Sequence, residues 1–111
     1  AGLGDIGELF PDTDAKFKDI SSIYLLQEAY KRVQSVGFVL TNTDITIMAQ
    51  KPKLSKLKSK MEANIAQALN LSRSRINVKA TTTEGLGFVG RCEGIAVMAS
   101  ASLKFYNWTQ I

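Results

Sequence analysis

The chain has 111 residues, 45% of them hydrophobic, which suits one globular domain with a modest core and excludes a disordered or low-complexity segment. It contains no His and a single Cys, Cys92, so serine triads, Cys-His dyads, His-rich zinc sites and internal disulfides are all excluded within these residues. The net charge of +4 is local: Lys51, Lys53, Lys56, Lys58 and Lys60 crowd the middle of the chain, as a solvated face or a funnel for an anionic ligand.

The first segment with character is Asp5-Ile6-Gly7-Glu8-Leu9-Phe10-Pro11-Asp12-Thr13-Asp14-Ala15. Pro11 argues against a buried strand and the Asp-Thr-Asp step against a helix, so the segment reads as a loop. The same residues also spell an ordinary turn followed by a helix cap. Residues 22–36 then read as a helix, with Ile23, Leu26, Ala29, Tyr30 and Val33 on one face, Ser21 or Ser22 as the cap and Gly37 as the stop. Residues 38–49 read as a strand, followed by the polar loop Ala49-Gln50-Lys51-Pro52-Lys53. A second helix is expected over 55–69, with Leu57, Met61, Ile65 and Leu69 facing inward. Residues 75–80 form a short strand that runs into Lys79-Ala80-Thr81-Thr82-Thr83-Glu84, and residues 95–105 keep a period of two throughout.

Strand, helix and strand make one parallel crossover, with the last strand added to the same sheet. The expected class is α+β, an α/β sandwich with a mixed β-sheet and helices packed on one face. The other face is expected to be bare and apolar and to require a second copy of the chain. No apolar run approaches a membrane span and no signal-peptide pattern is visible. A lone Cys suits a reducing, cytoplasmic setting, and Cys92 without a His to act as its base reads as an ordinary thiol. Nucleic acid is disfavoured because the aromatic residues do not interleave with the lysines.

Three polar loops in this order suggest one site for a phosphate-bearing ligand, and their sequences resemble a known family. Gly4-Asp5-Ile6-Gly7, Leu9-Phe10-Pro11-Asp12-Thr13-Asp14, Ala49-Gln50-Lys51-Pro52-Lys53, Val78-Lys79-Ala80-Thr81-Thr82-Thr83-Glu84, Leu86-Gly87-Phe88 and Gly90-Arg91-Cys92-Glu93-Gly94-Ile95-Ala96 are similar to 2-C-methyl-D-erythritol 2,4-cyclodiphosphate synthases. The likeness extends from Ala1 to about Leu103. It implies a homotrimer whose sheets face the threefold axis and whose active sites lie between subunits. The implied reaction cyclises 4-diphosphocytidyl-2-C-methyl-D-erythritol 2-phosphate and releases CMP. Because the substrate's own phosphate attacks, the protein supplies positioning and charge neutralisation rather than a nucleophile.

Carried over residue by residue, the resemblance assigns Asp5, Ile6 and Gly7 to the ribose and Phe10, Pro11, Asp12, Thr13 and Asp14 to the methylerythritol part. Ala49, Gln50, Lys51, Pro52, Lys53, Leu54 and Ser55 are assigned to cytosine, and Thr81, Thr82 and Thr83 to phosphate oxygens, with Thr82 stabilising the transition state. Glu84 is assigned to a magnesium or manganese ion on the diphosphate. Phe88, Arg91 and Glu93 are expected near the trimer axis, where Arg91 could hold an isoprenoid diphosphate in a central cavity. The family's zinc-type site uses an Asp-x-His run and a later His, and those positions would precede Ala1. Residues 1–111 therefore read as a synthase domain lacking its N-terminal metal-binding part, its C-terminal two-thirds. The tail Phe105-Tyr106-Asn107-Trp108-Thr109-Gln110-Ile111 is similar to the tails of bifunctional forms in which a cytidylyltransferase precedes the synthase. The alternative is a basic nucleotide- or RNA-binding module that uses the same Lys and Thr groups on phosphates without catalysis.

Overall fold

The computed structural model describes residues 1–11 and 21–106. Among these the elements run α1 (Ile6–Leu9), α2 (Ser22–Ser35), β1 (Phe38–Met48), a 3-10 turn (Ser55–Leu57), α3 (Lys58–Leu69), a second 3-10 turn (Arg73–Arg75), β2 (Ile76–Thr81), α4 (Gly87–Gly90) and β3 (Ala96–Phe105). The three strands form one sheet in the order β2-β1-β3. The mixed α+β class and the crossover expected from the sequence are both present. The chain divides into two compact units, residues 41–102 and residues 1–40 with 103–111.

In the unit 41–102, β1 and β2 are parallel, with Thr43 opposite Ile76, Ile45 opposite Val78 and Met48 opposite Thr81. A parallel pair needs a crossover, and α3 provides it. Ile76, Val78 and Ala66 of α3 are buried together, with Ile45, Ile47, Met61 and Ile65 packed around them. Asn70 ends α3 in the left-handed region at φ 55°, and its N–H bonds back to the Ala66 and Gln67 carbonyls. Leu57, expected to face inward, is 45% exposed. It lies in the 3-10 turn before α3, where three residues per turn shift its direction away from the helix's apolar stripe.

The face of β1 and β2 turned away from this core is polar, which corrects the expectation of a bare apolar face. Asp44 lies opposite Asn77 and accepts its amide N–H at 2.7 Å, while Lys79 Nζ reaches the other carboxylate oxygen at 3.3 Å. These contacts, Asn77 first and Lys79 second, hold the Asp44 carboxyl below its ordinary pKa. The uncovered apolar surface lies on β3 instead. Val97 and Met98 are adjacent, so they point to opposite faces, and they are 58% and 69% exposed. Thr43 and Thr41 tie β3 to β1 by donating their hydroxyls to the Ser100 and Ser102 carbonyls at 3.0 and 2.8 Å. As one number rises the other falls, so this pair is antiparallel.

In the other unit, α2 starts at Ser21, whose hydroxyl accepts from the Ile23 N–H. Its Tyr30 hydroxyl accepts from the Leu40 N–H at 3.0 Å. Gly37 has φ +95°, and a Cβ there would press on the Phe105 ring. That ring also meets Phe38 edge to face at 5.7 Å. The segment read from sequence as a pure loop contains a short helix, α1. Asp5 caps it by accepting from the Glu8 N–H at 2.9 Å. Asp12, Thr13 and Asp14 lie outside the described residues.

Two outcomes follow. Ile76→Ala empties a site only 2% exposed and is expected to cost about 2–5 kcal/mol, read from the urea-unfolding midpoint. The lowered Asp44 pKa contributes stability that is fully present above the ordinary carboxylate pKa and lost as pH falls through the lowered value. Wild type and Asp44→Asn are therefore expected to differ in midpoint near neutrality and to converge in acid, as followed by denaturation across pH 2–7.

Candidate functional site

Parallel strands deliver their C-terminal ends to the same edge of the sheet, and loops leaving that edge can form a crevice. Here the crevice is a cleft of about 380 Å³ lined by the chain leaving β1 (Ala49, Gln50, Pro52, Lys53, Leu54, Ser55), by the end of β2 (Ala80, Thr81) and by Thr82 just after it. The register sets Met48 beside Thr81, and the Ala49 N–H donates to the Thr81 carbonyl at 2.9 Å, so the two walls stay together past the end of the ladder. Ala49 is buried, and the rest of the segment turns outward through a cis Lys51–Pro52 peptide.

Beyond the cleft, the segment after β2 folds on its own hydroxyls. Thr82 Oγ1 accepts from the Glu84 N–H at 3.2 Å, and the Thr83 hydroxyl donates to the Leu86 carbonyl at 2.6 Å. Glu84 takes a left-handed φ of 54°, and the next N–H, that of Gly85, donates to Gln50 Oε1 at 3.2 Å. Gln50 thus joins the first wall of the cleft to the loop that carries Glu84. The Thr82 hydroxyl accepts one bond there and retains its proton to donate. Gly85 and Gly90 approach so closely that a Cβ on Gly90 would collide with the Gly85 backbone.

The electrostatics favour an anion. The helical run starting at Ser55 has neither a side-chain cap nor an acidic residue in its first turns, and it carries Lys56, Lys58 and Lys60. Cations at a helix start add to the positive end of its dipole. Lys53 on the cleft wall adds a further charge.

The structure thus brings Ala49, Gln50, Pro52, Lys53, Leu54, Ser55, Thr81 and Thr82 to one cleft, together with Ala80, which was not among the candidates although it lies in the same run. Lys51 is exposed outside the cleft, and Thr83 and Glu84 stand on the neighbouring loop. Phe88 is half exposed, and Arg91 pairs with Glu93 through Nε at 2.8 Å and NH2 at 3.3 Å. In the other unit, Asp5 and Gly7 are exposed and Asp5 Oδ1 is engaged in capping. Phe10 is buried, which narrows its expected border with a ligand to its backbone. Pro11 is exposed.

For a metal, Glu84 is an exposed carboxylate with no ion-pair partner among the described residues, the donor type a hard cation shares with phosphate oxygens. A zinc-type site does not fit this chain: it has no His, and the described residues hold no group of three or more His, Cys, Asp or Glu.

The chain is 97% identical over all 111 residues to the bifunctional enzyme IspD/IspF of Campylobacter concisus, of which it covers 30%. It superposes with a TM-score of 0.91 on the bifunctional IspDF from Campylobacter jejuni, at 59% identity over 97% of this chain and 29% of that one. A 2C-methyl-D-erythritol-2,4-cyclodiphosphate synthase solved in a CDP-bound form matches with a TM-score of 0.84 and 30% identity, covering 93% of this chain and 66% of that one. The chain spans about 30% of the length of the curated relatives it matches. The YgbB family profile matches residues 1–104, nearly the whole sequence, and the chain belongs to the YgbB family.

Proposed function

We propose that the protein containing this chain is a 2-C-methyl-D-erythritol 2,4-cyclodiphosphate synthase. The observation that carries the reading is the cleft between residues 49–55 and 80–82, where Pro52, Leu54 and the cationic Lys53 meet Thr81 and Thr82. A relative of the same fold is solved with CDP. In the reaction an oxygen of the substrate's 2-phosphate forms a bond to the β-phosphorus. The bond from that phosphorus to the bridging oxygen breaks, and CMP leaves with the electron pair on its phosphate.

The chain's residues have distinct tasks. Residues 49–55 hold the cytosine, largely through backbone groups, and Asp5 and Gly7 hold the ribose, where a carboxylate oxygen not used in capping accepts hydroxyl protons. The Thr82 hydroxyl donates to a phosphate oxygen and follows the charge that develops as the bond shifts, and the Thr81 hydroxyl turns from the Thr82 carbonyl, to which it donates at 3.3 Å, to do the same. Glu84 would hold magnesium or manganese, which when bound neutralises charge on the diphosphate. The active unit is a homotrimer in the cytoplasm, with the two exposed faces of β3 covered by neighbouring copies and with Phe88, Arg91 and Glu93 toward the axis. An isoprenoid diphosphate in the central cavity would meet Arg91.

Thr82→Val in the full-length protein is expected to bind CDP normally in magnesium but to form cyclic product roughly a hundredfold more slowly, measured by single-turnover phosphorus NMR. Normal turnover would leave Thr82 as an ordinary residue of the turn after β2. Salt-sensitive binding of any RNA, without saturable CDP binding, would replace the synthase reading with a nucleic-acid module. Light scattering at micromolar concentration is expected to give three times the monomer mass, and a monomer would remove the trimer.

A further inference from the structure

The helix α1 is four residues long, has no buried residue of its own and exposes Ile6. A single turn does not persist in water on its own hydrogen bonds, because nucleation costs more than one turn returns. Its Asp5 cap satisfies the start, and the anchoring at the other end comes from α2. Arg32, in the last turn of α2, donates from NH1 to the Leu9 carbonyl at 3.1 Å. Its guanidinium carbon also lies 4.7 Å from the centre of the Phe10 ring. Leu9 is the last residue of α1 and Phe10 its C-terminal cap, and the Phe10 N–H bonds back to the Ile6 carbonyl. One planar cation thus satisfies an otherwise orphaned carbonyl at the helix end and covers the aromatic face beside it. Phe10 is 7% exposed, so the stacked pair is a fixed point while Asp5 to Glu8 face solvent and Leu9 is half-buried.

We propose that Arg32 is the positioning residue of the Asp5–Gly7 ribose contact: it clamps the end of α1 through the Leu9 carbonyl and the Phe10 ring and so holds the Asp5 carboxylate ready for a nucleoside diphosphate. This rests on the ribose role given to Asp5 above. Arg32 acts through α1 and requires no contact with ligand. A lysine would keep the charge and a donor toward the carbonyl, but it lacks the flat face that covers Phe10.

A double-mutant cycle tests the clamp in the full-length protein, with CDP in magnesium as the probe and melting temperature recorded alongside. Arg32→Gln is expected to weaken CDP binding by about tenfold, at the lower edge of the loss of a charged hydrogen bond. Arg32→Lys is expected to recover part of that loss. In turnover assays the defect is expected in KM with kcat little changed, as for a group that orients ground state and transition state alike. The decisive arm is Arg32→Gln in an Asp5→Ala background, where it is expected to cost no further affinity because the group it orients is gone. A full additive loss in that background overturns the proposal. So does a lowered melting temperature with wild-type CDP affinity, which would make the clamp a stability device. If Arg32→Gln does not fold, Arg32→Lys and Phe10→Leu carry the same cycle with the same overturning results. Unchanged affinity in Asp5→Ala alone would remove the ribose reading and the proposal with it. Weakened binding in Asp5→Ala beside normal binding in Arg32→Gln would remove the proposal alone.

Discussion

Everything at the cleft hangs on the register between β1 and β2. Because side chains alternate across a strand, a slip of β2 by one residue against β1 would turn Ile76 and Val78 away from α3 and present Asn77 and Lys79 to Ala66. The buried cluster forbids that slip. Once the register is set, Met48 and Thr81 end side by side, and the next main-chain bond, Ala49 to Thr81, starts both cleft walls at the same level. Hydrophobic packing on one side of the sheet therefore decides where the threonine hydroxyls stand at its end.

The chemistry open to such a site is narrow. The chain has no His, the side chain whose ordinary pKa lies nearest neutrality. What it offers is fixed donors and positive potential. This suits a reaction in which the substrate brings its own nucleophile and the barrier is mainly electrostatic. The bond that the Thr82 hydroxyl oxygen accepts from the Glu84 N–H has a part in this, because a hydroxyl held by the backbone through its oxygen keeps its proton to donate and needs little reorganisation when charge shifts.

Much of this was legible in the sequence, for reasons that differ by element. The period-two run of β3 and the apolar stripe of α2 can be read because each pattern repeats long enough to exclude the other period. The cleft residues were legible as ordered motifs, since six of the seven residues 49–55 and both Thr81 and Thr82 line it. The helix α1 was not, because four residues contain barely one turn and Pro11 obscured the cap at Asp5. Leu57 was misplaced because a 3-10 turn breaks the helical phase one residue before α3 begins. Gln50 to Gly85 and Arg32 to Leu9 join residues 35 and 23 positions apart, and no local pattern announces a contact of that kind.

The strand β3 has a cost that begins at synthesis. It is an edge strand of the described sheet, and its Val97 and Met98 are open on opposite faces. An unpaired edge of this type is a template for any other extended chain nearby. Ala99, Ser100, Ala101 and Ser102 are weak strand formers with little surface to adhere by, and Lys104 charges the far end. These residues lower the stickiness of the edge without removing it. Any extended segment that pairs with this edge, in the right register or a wrong one, would bury it, so which segment reaches it first matters.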